Sequence, residues 1–181
     1  METKSENHVM LVPLQANDRE QFILDNQRAF KYGASEKNHF EEEGKIISRA
    51  TIEASMDRAN AETYHILLDG EHVGGAVIRV EGEYGELELL FVNPNVHSKG
   101  IGYTAWCLIE RLHPEVTVWE TVTPYFEKRN IHFYVNRCGF HIVEFWNKYH
   151  YGPAVPAEEI ENWSEDDEMF VFRKTIKRIT Q

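Results

Sequence analysis

Between a run of β-forming residues and a run with helical spacing lies His97-Ser98-Lys99-Gly100-Ile101-Gly102. Two glycines at such a junction let the backbone come close to a ligand. The first N–H groups of the following helix lack intrahelical acceptors and carry a partial positive charge. Together these properties suit a phosphate or pyrophosphate, although a glycine pair at a helix start also serves turn geometry alone. A second chemical feature lies just upstream. Alternation along a strand puts Glu86, Glu88 and Leu90 on one face. Two carboxylates on a central strand are costly unless they line a cleft or the face is solvated at the strand's start.

Periodicity supplies the elements that must position these residues. Residues 9–12 read as a short strand. Asn17 with Glu20 three residues on predicts a capping box ahead of the helical series Phe22, Ile23, Asn26 and Phe30. A weaker helix is expected through Ile46, Ile47, Ile52 and Met56. The period then changes: strands over 64–68 and 72–80 flank Asp69-Gly70, the strongest short hairpin signal. Residues 81–85 make another turn before a third strand over 86–92. Ile101, Ala105, Leu108, Ile109 and Leu112 mark a helix, and His113-Pro114 closes it because the residue before proline avoids helical geometry. A strand over 116–121 follows, then a short helix through Ile131, Tyr134 and Val135 ended by Gly139, then strands over 140–146 and 169–172. The class is mixed α/β, with a parallel crossover only near residues 86–121.

Length and composition narrow the function. The 181 residues fit one domain, and 42% apolar with 12% aromatic residues support a folded core. Nineteen basic residues against thirty acidic ones give a net charge of −11. That argues against nonspecific binding to nucleic acid or to an anionic membrane, each of which needs a basic face. Seven acids (Glu158, Glu159, Glu161, Glu165, Asp166, Asp167 and Glu168) fall within eleven residues, so the imbalance is partly local. Such a loop is a solvated surface or an attraction for a cationic ligand. No apolar run approaches the ~20 residues of a membrane span and no signal-peptide core opens the chain, so a cytoplasmic location is expected. Cys107 and Cys138 cannot build a disulfide framework, and the histidines lack metal-ligand spacing, so no metal is expected.

Two ligand classes compete for the glycine turn. The run from Gly100 to Ala105 satisfies the dinucleotide pattern G-x-G-x-x-A, and Glu120 falls where a ribose-binding acid belongs. That reading makes the chain an NAD(P)-binding oxidoreductase. Against it, seven residues separate the strand from the first glycine, hairpins precede the motif, and only sixty-one residues follow Glu120. The alternative covers more of the chain. His97 to Gly102 resembles the Gln/Arg-x-x-Gly-x-Gly/Ala signature of the GNAT superfamily, the acetyl-CoA-dependent N-acyltransferases. Leu89-Leu90-Phe91-Val92-Asn93-Pro94 is similar to the family's preceding strand and loop, and residues 73–78 to its third strand. The stretch from Asn130 through Tyr134 to Gly139-Phe140 resembles a second family motif, with a shorter spacing than many members have. His97 departs from the usual Gln/Arg, which affects one side-chain contact and not the backbone cradle. The resemblance implies a single GNAT-like acetyltransferase domain over residues 1–181. Its sheet would be mostly antiparallel and twisted, with helices on both faces and a splayed parallel strand pair.

The resemblance also implies a chemistry. The backbone of Phe91 and Val92 would pair with pantetheine as an added strand. The N–H groups of Ser98, Lys99, Gly100, Ile101, Gly102 and Tyr103 would hold the pyrophosphate, and Asn130 would contact the cofactor or serve as a helix N-cap. Lys128 and Arg129 face the cofactor phosphates or simply solvent. The implied reaction is acetyl transfer from acetyl-CoA to a primary amine by direct attack in a ternary complex. An N–H near Phe91 or Val92 would stabilise the developing oxyanion. An alkylamine of pKa about 10 is under about 1% neutral at pH 7, so a base must assist. Glu88 would lie nearer the thioester, while Glu86 could act through a water. Tyr134 is the acid for the departing thiolate by its place in the second motif, with Tyr125 in reserve; its other reading is a core aromatic. The acceptor would be a small-molecule or peptide amine, cationic if the acidic loop guides it, and a homodimer is left open. Nucleic acid and membrane are not expected partners. From another class, a GNAT-like fold could bind acyl-CoA without turnover, as a sensor or assembly module.

Overall fold

The computed structural model describes residues 8–35, 47–96, 100–153 and 162–177. One compact unit takes the described residues up to Glu81 together with Leu87–Pro114. In it β1 (Val9–Pro13) pairs antiparallel with β2 (Ala61–Leu68), and β2 with β3 (Glu71–Glu81). Asp69 and Gly70 between β2 and β3 both have positive φ, 51° and 89°. That twist matches the flanking strands of a two-residue hairpin, as the Asp-Gly pair predicts. A register shift after Ile66 leaves Val73 as the extra residue of β3, and its side chain joins the cluster built on helix α3 (Ile101–Leu112). The other side of the unit is filled from helix α1 (Arg19–Ser35) and helix α2 (Arg49–Met56). Their Phe22, Ile23, Ile52 and Met56 pack with Val77 of β3 and with Leu89 and Phe91 of β4 (Tyr84–Val92).

Two local expectations fail. No capping box forms at Asn17 and Glu20: a 3-10 turn over Ala16–Asp18 runs straight into α1. Glu20 turns instead to Arg49, whose guanidinium reaches it with two hydrogen bonds of 2.7 and 2.6 Å. A charge-assisted bidentate pair outweighs a single local cap. The second helix starts later than its apolar spacing suggests. Ser48 caps it by accepting from the Thr51 N–H at 3.0 Å, Ile47 precedes it, and Ile46 lies outside the described residues.

Behind α1, His65 of β2 is buried with its ring 4.2 Å from that of His72 and 6.0 Å from Phe22. Burial, and then the neighbouring His72, hold its pKa below the ordinary histidine value, while Asp18 and Asp25 pull the other way. A histidine kept neutral in the fold binds fewer protons there than in the unfolded chain. Its contribution is therefore complete above the unfolded value of about 6.5 and is lost as pH falls below it. We expect the urea midpoint to drop between pH 7 and pH 5, and His65→Gln to flatten that slope; an equal slope in the variant would assign it to other groups.

The second unit takes Gly82–Glu86 and the described residues from Glu115 on. Here β5 (Val118–Pro124) runs parallel to the start of β4, with Tyr84, Gly85 and Glu86 opposite Val118, Trp119 and Glu120. On the other edge of β5 lies β7 (Met169–Thr175), antiparallel, and β6 (His141–Trp146) pairs outside it. The hydrogen-bonded order is β1-β2-β3-β4-β5-β7-β6. Helix α4 (Lys128–His132) continues as a π-helix over Phe133–Cys138 and ends at Gly139, φ 80°. Trp119, Phe140 and Phe172 are fully buried in this unit, and the Tyr134 ring contacts Phe140 and Phe172.

Candidate functional site

The β4–β5 ladder has three residue pairs and ends at Glu86, while β4 itself continues six residues to Val92. Buried and half-buried positions alternate along this strand, with Leu87, Leu89 and Phe91 buried and Glu86, Glu88, Leu90 and Val92 half-buried. That is the predicted alternation. Phe91 turns its carbonyl toward Gly74 of β3, and Asn93 donates its N–H to the Val73 carbonyl at 2.7 Å. Backbone groups of successive strand residues point to opposite edges, so of the two residues assigned to pantetheine Phe91 faces β3 and only Val92 alternates away from it.

Beyond β4 the chain reaches the glycine turn. His97, Ser98 and Lys99 lie outside the described residues. Gly100 is the N-cap of α3, with φ 72° in the left-handed region that favours glycine. Open space surrounds the position where a Cβ would stand. Thr104 returns to Gly100, its N–H and its hydroxyl both donating to the Gly100 carbonyl at 3.0 and 3.2 Å. The amides of Ile101, Gly102 and Tyr103 fall in the first turn of α3, at the positive end of a twelve-residue helix. An open glycine backbone at the start of a helix fits a phosphate-bearing ligand.

The two predicted carboxylates have different surroundings. Glu86 stands inside the parallel ladder opposite Glu120. Glu88 lies past its end, with a side chain 14% exposed and ion-paired to Arg58, which follows α2. Ser55 of α2 places its hydroxyl 3.5 Å from the same carboxylate. Arg58 and Ser55 were not legible as site residues, because no spacing in the sequence links them to a strand thirty residues on.

In the second unit Tyr134 is 7% exposed. Burial pushes its pKa up to about 12, partly offset by its hydrogen bond with Thr121. Tyr125 stacks edge-on against Phe126 and Phe145. Asn130 is not an N-cap: Glu127 holds that position, and Asn130 is the third residue of α4. Lys128 and Arg129 are exposed.

A model of the acetyltransferase (GNAT) family matches residues 21–140, more than half of the chain. The chain belongs to the GNAT family. Along nearly its whole length this GNAT protein is similar to the Bacillus subtilis (strain 168) sequence named "Uncharacterized protein YrkN", 43% identical over 183 residues, with 98% of this chain and 99% of that one covered. Among solved structures it resembles the ribosomal-protein-S18-alanine N-acetyltransferase of Escherichia coli, with TM-score 0.66, 15% identity, and 96% and 97% of the two chains covered. The PaiA N-acetyltransferase of Thermoplasma acidophilum, solved in complex with coenzyme A, gives 0.65 and 15% over 93% and 99%. A GNAT acetyltransferase of Elizabethkingia anophelis with acetyl-CoA bound gives 0.63 and 14% over 93% and 98%. These likenesses establish the fold: mixed α/β, a mostly antiparallel seven-stranded sheet and one parallel pair.

The competing dinucleotide reading falls with this membership, and Glu120 has other work in the GNAT protein. Its carboxylate accepts from the Tyr84 hydroxyl at 2.5 Å and pairs with Arg173. Burial and that carboxylate together push the Tyr84 pKa up. Of the acidic loop, Glu158, Glu159 and Glu161 lie outside the described residues. Asp167 closes a capping box with Ser164 around the turn Glu165–Asp167, a local structural use of one of the acids. Among the described residues no helix is long and apolar enough to cross a membrane, and no His, Cys, Asp or Glu cluster could hold a metal ion.

Proposed function

We propose that this GNAT protein transfers an acetyl group from acetyl-CoA to a primary amine by direct attack within a ternary complex. The observation that carries this reading is the stretch of β4 beyond its ladder, leading into a helix that starts at a left-handed glycine. Pantetheine would pair with the backbone of β4 around Val92 as an added strand. The pyrophosphate would meet the first amides of α3, with the amides of Ser98 and Lys99 completing the cradle. Because those donors are backbone groups, a net charge of −11 does not oppose this ligand. Glu88 would take the proton of the attacking amine.

Tyr134 would face the departing thiolate. Its raised pKa, about 12, keeps it protonated but makes full transfer to a thiolate of ordinary pKa about 8.5 uphill. It therefore serves better as a hydrogen-bond donor to sulfur than as an acid that ionises. Tyr134→Phe is then expected to lower kcat by roughly 10–100-fold, with acetyl-CoA affinity unchanged, since a hydrogen bond to a charged acceptor contributes about 1.5–3 kcal/mol.

Thermal unfolding with acetyl-CoA, CoA and NAD(P)H added separately tests the reading. A ligand at a hundred times its Kd adds about 2.7 kcal/mol, so both CoA species should raise Tm by roughly 5–10 °C and NAD(P)H should not. No response to millimolar CoA species would sink the proposal. Two observations favour a second reading, a CoA-binding sensor without turnover: Glu88 is held in an ion pair and Tyr134 is buried. A thiol-release screen over primary amines separates the two, since a sensor binds CoA and releases none.

A further inference from the structure

We infer that Arg58 is a positioning residue for the acetyl transfer, acting through Glu88. The inference rests on Glu88 being the proton acceptor. Arg58 follows α2, and its guanidinium pairs with Glu88 Oε1. Ser55, three residues earlier on the same helix, sets its hydroxyl 3.5 Å from Glu88 Oε2. The two carboxylate oxygens are thus addressed from one side by two groups of α2 and its end. The carboxylate is mostly buried, whereas the Arg58 side chain is 46% exposed. The guanidinium can therefore orient Glu88 without itself being locked in the core.

The charges around Glu88 act in opposite directions. Arg58 packs against it from the end of α2 and favours the ionised form. Glu86, two positions back on the same strand and half-buried like it, disfavours that form. Ser55 supplies a neutral donor that favours the carboxylate. The direct contact from Arg58 favours the ionised carboxylate and fixes the direction in which it points. Without Arg58, a half-buried carboxylate beside Glu86 would protonate at higher pH and turn in its socket.

The test needs no knowledge of the acceptor at its first stage. The side-chain carboxyl carbons of glutamate, labelled with 13C, are titrated by NMR, and Glu88 is assigned by its loss in Glu88→Gln. In Arg58→Gln the Glu88 midpoint should rise by about 1–3 pH units, the usual effect of an arginine beside a carboxylate. Arg58→Lys should return it most of the way, and Ser55→Ala should move it little. The second stage follows thiol release from acetyl-CoA with n-butylamine and spermidine as probe amines. There the acid limb of the rate profile should move with the NMR midpoint, kcat should fall more than the acetyl-CoA Kd changes, and Arg58→Lys should recover the rate. An unmoved Glu88 midpoint in Arg58→Gln overturns the role of Arg58 outright. A moved midpoint with an unmoved rate profile also overturns it. If Glu88→Gln retains the wild-type rate as well, the base reading itself fails; if Glu88→Gln is impaired, only Arg58 is removed.

Discussion

Gly74→Ala is expected to lower the unfolding free energy by about 1–3 kcal/mol and to weaken acetyl-CoA binding at the same time. An ideal Cβ on Gly74 would stand 2.2 Å from the Phe91 carbonyl oxygen and 3.1 Å from Val92 Cα. Both neighbours are backbone, so no rotamer change relieves the clash, and β4 itself must move. That stretch is anchored on both sides. Leu89 and Phe91 are packed in the α1–α2 cluster, and the Asn93 N–H is bonded to the carbonyl of Val73, the residue beside Gly74. Displacing it would disturb the segment proposed to pair with pantetheine. Urea unfolding and acetyl-CoA titration calorimetry on the one variant would give both effects. A destabilised variant with wild-type affinity would separate the position of β4 from cofactor binding.

The sequence displays this site unevenly, and the reasons are physical. Elements governed by short-range rules were readable: the Asp69-Gly70 hairpin, the alternation along β4, the proline stop after α3 and the Gly139 terminus all depend on residues a few positions apart. The chain order of the last strands did not reveal their order in the sheet. β7 enters between β5 and β6 because its two neighbours are chosen by long-range pairing, Phe172 facing Thr121 on one side and Ile142 on the other. The cap predicted at Asn17 failed for a similar reason, since Glu20 found Arg49 twenty-nine residues on. The π-helical segment bears on the short spacing from Asn130 to Gly139-Phe140: Phe133–Cys138 is wound more widely than an α-helix. Tyr134 and Gly139 could be placed without knowing this, but the partner of Tyr134, Thr121, could not.

Within the site the same division holds. The glycine turn announced itself through residue type, because only glycine combines an αL N-cap with open access for a ligand. The two carboxylates announced themselves through alternation, and the end of the β4–β5 ladder between them adds a second ground for ranking Glu88 first. Glu86 sits opposite Glu120, whose carboxylate is already bonded by Tyr84 and Arg173. Glu88 sits where β4 has left that ladder.

This ranking makes Glu88→Gln the more decisive substitution. Glutamine keeps the size of the side chain and can still accept from Ser55 and Arg58 through its carbonyl, but it cannot take up a proton from an ammonium. Positioned general bases contribute roughly 10²–10⁴-fold, so kcat should fall by that factor. Stability should change by less than about 1 kcal/mol, because the partner guanidinium is half exposed and water can replace the lost charge. Acetyl-CoA affinity should not move, since the proposed cofactor contacts are backbone groups of β4 and α3. A fall in kcat with affinity and stability preserved is the signature of an interaction used only as the amine is deprotonated. Glu86→Gln is the internal comparison. Its backbone stands within the β4–β5 ladder, before the stretch proposed to meet the cofactor, so it should alter kcat by less than about tenfold unless it relays the proton through a water. Steady-state rates of both variants at saturating acetyl-CoA decide between them. Equal losses would mean that the two carboxylates share the proton, and a loss confined to Glu86→Gln would move the base one step back along β4.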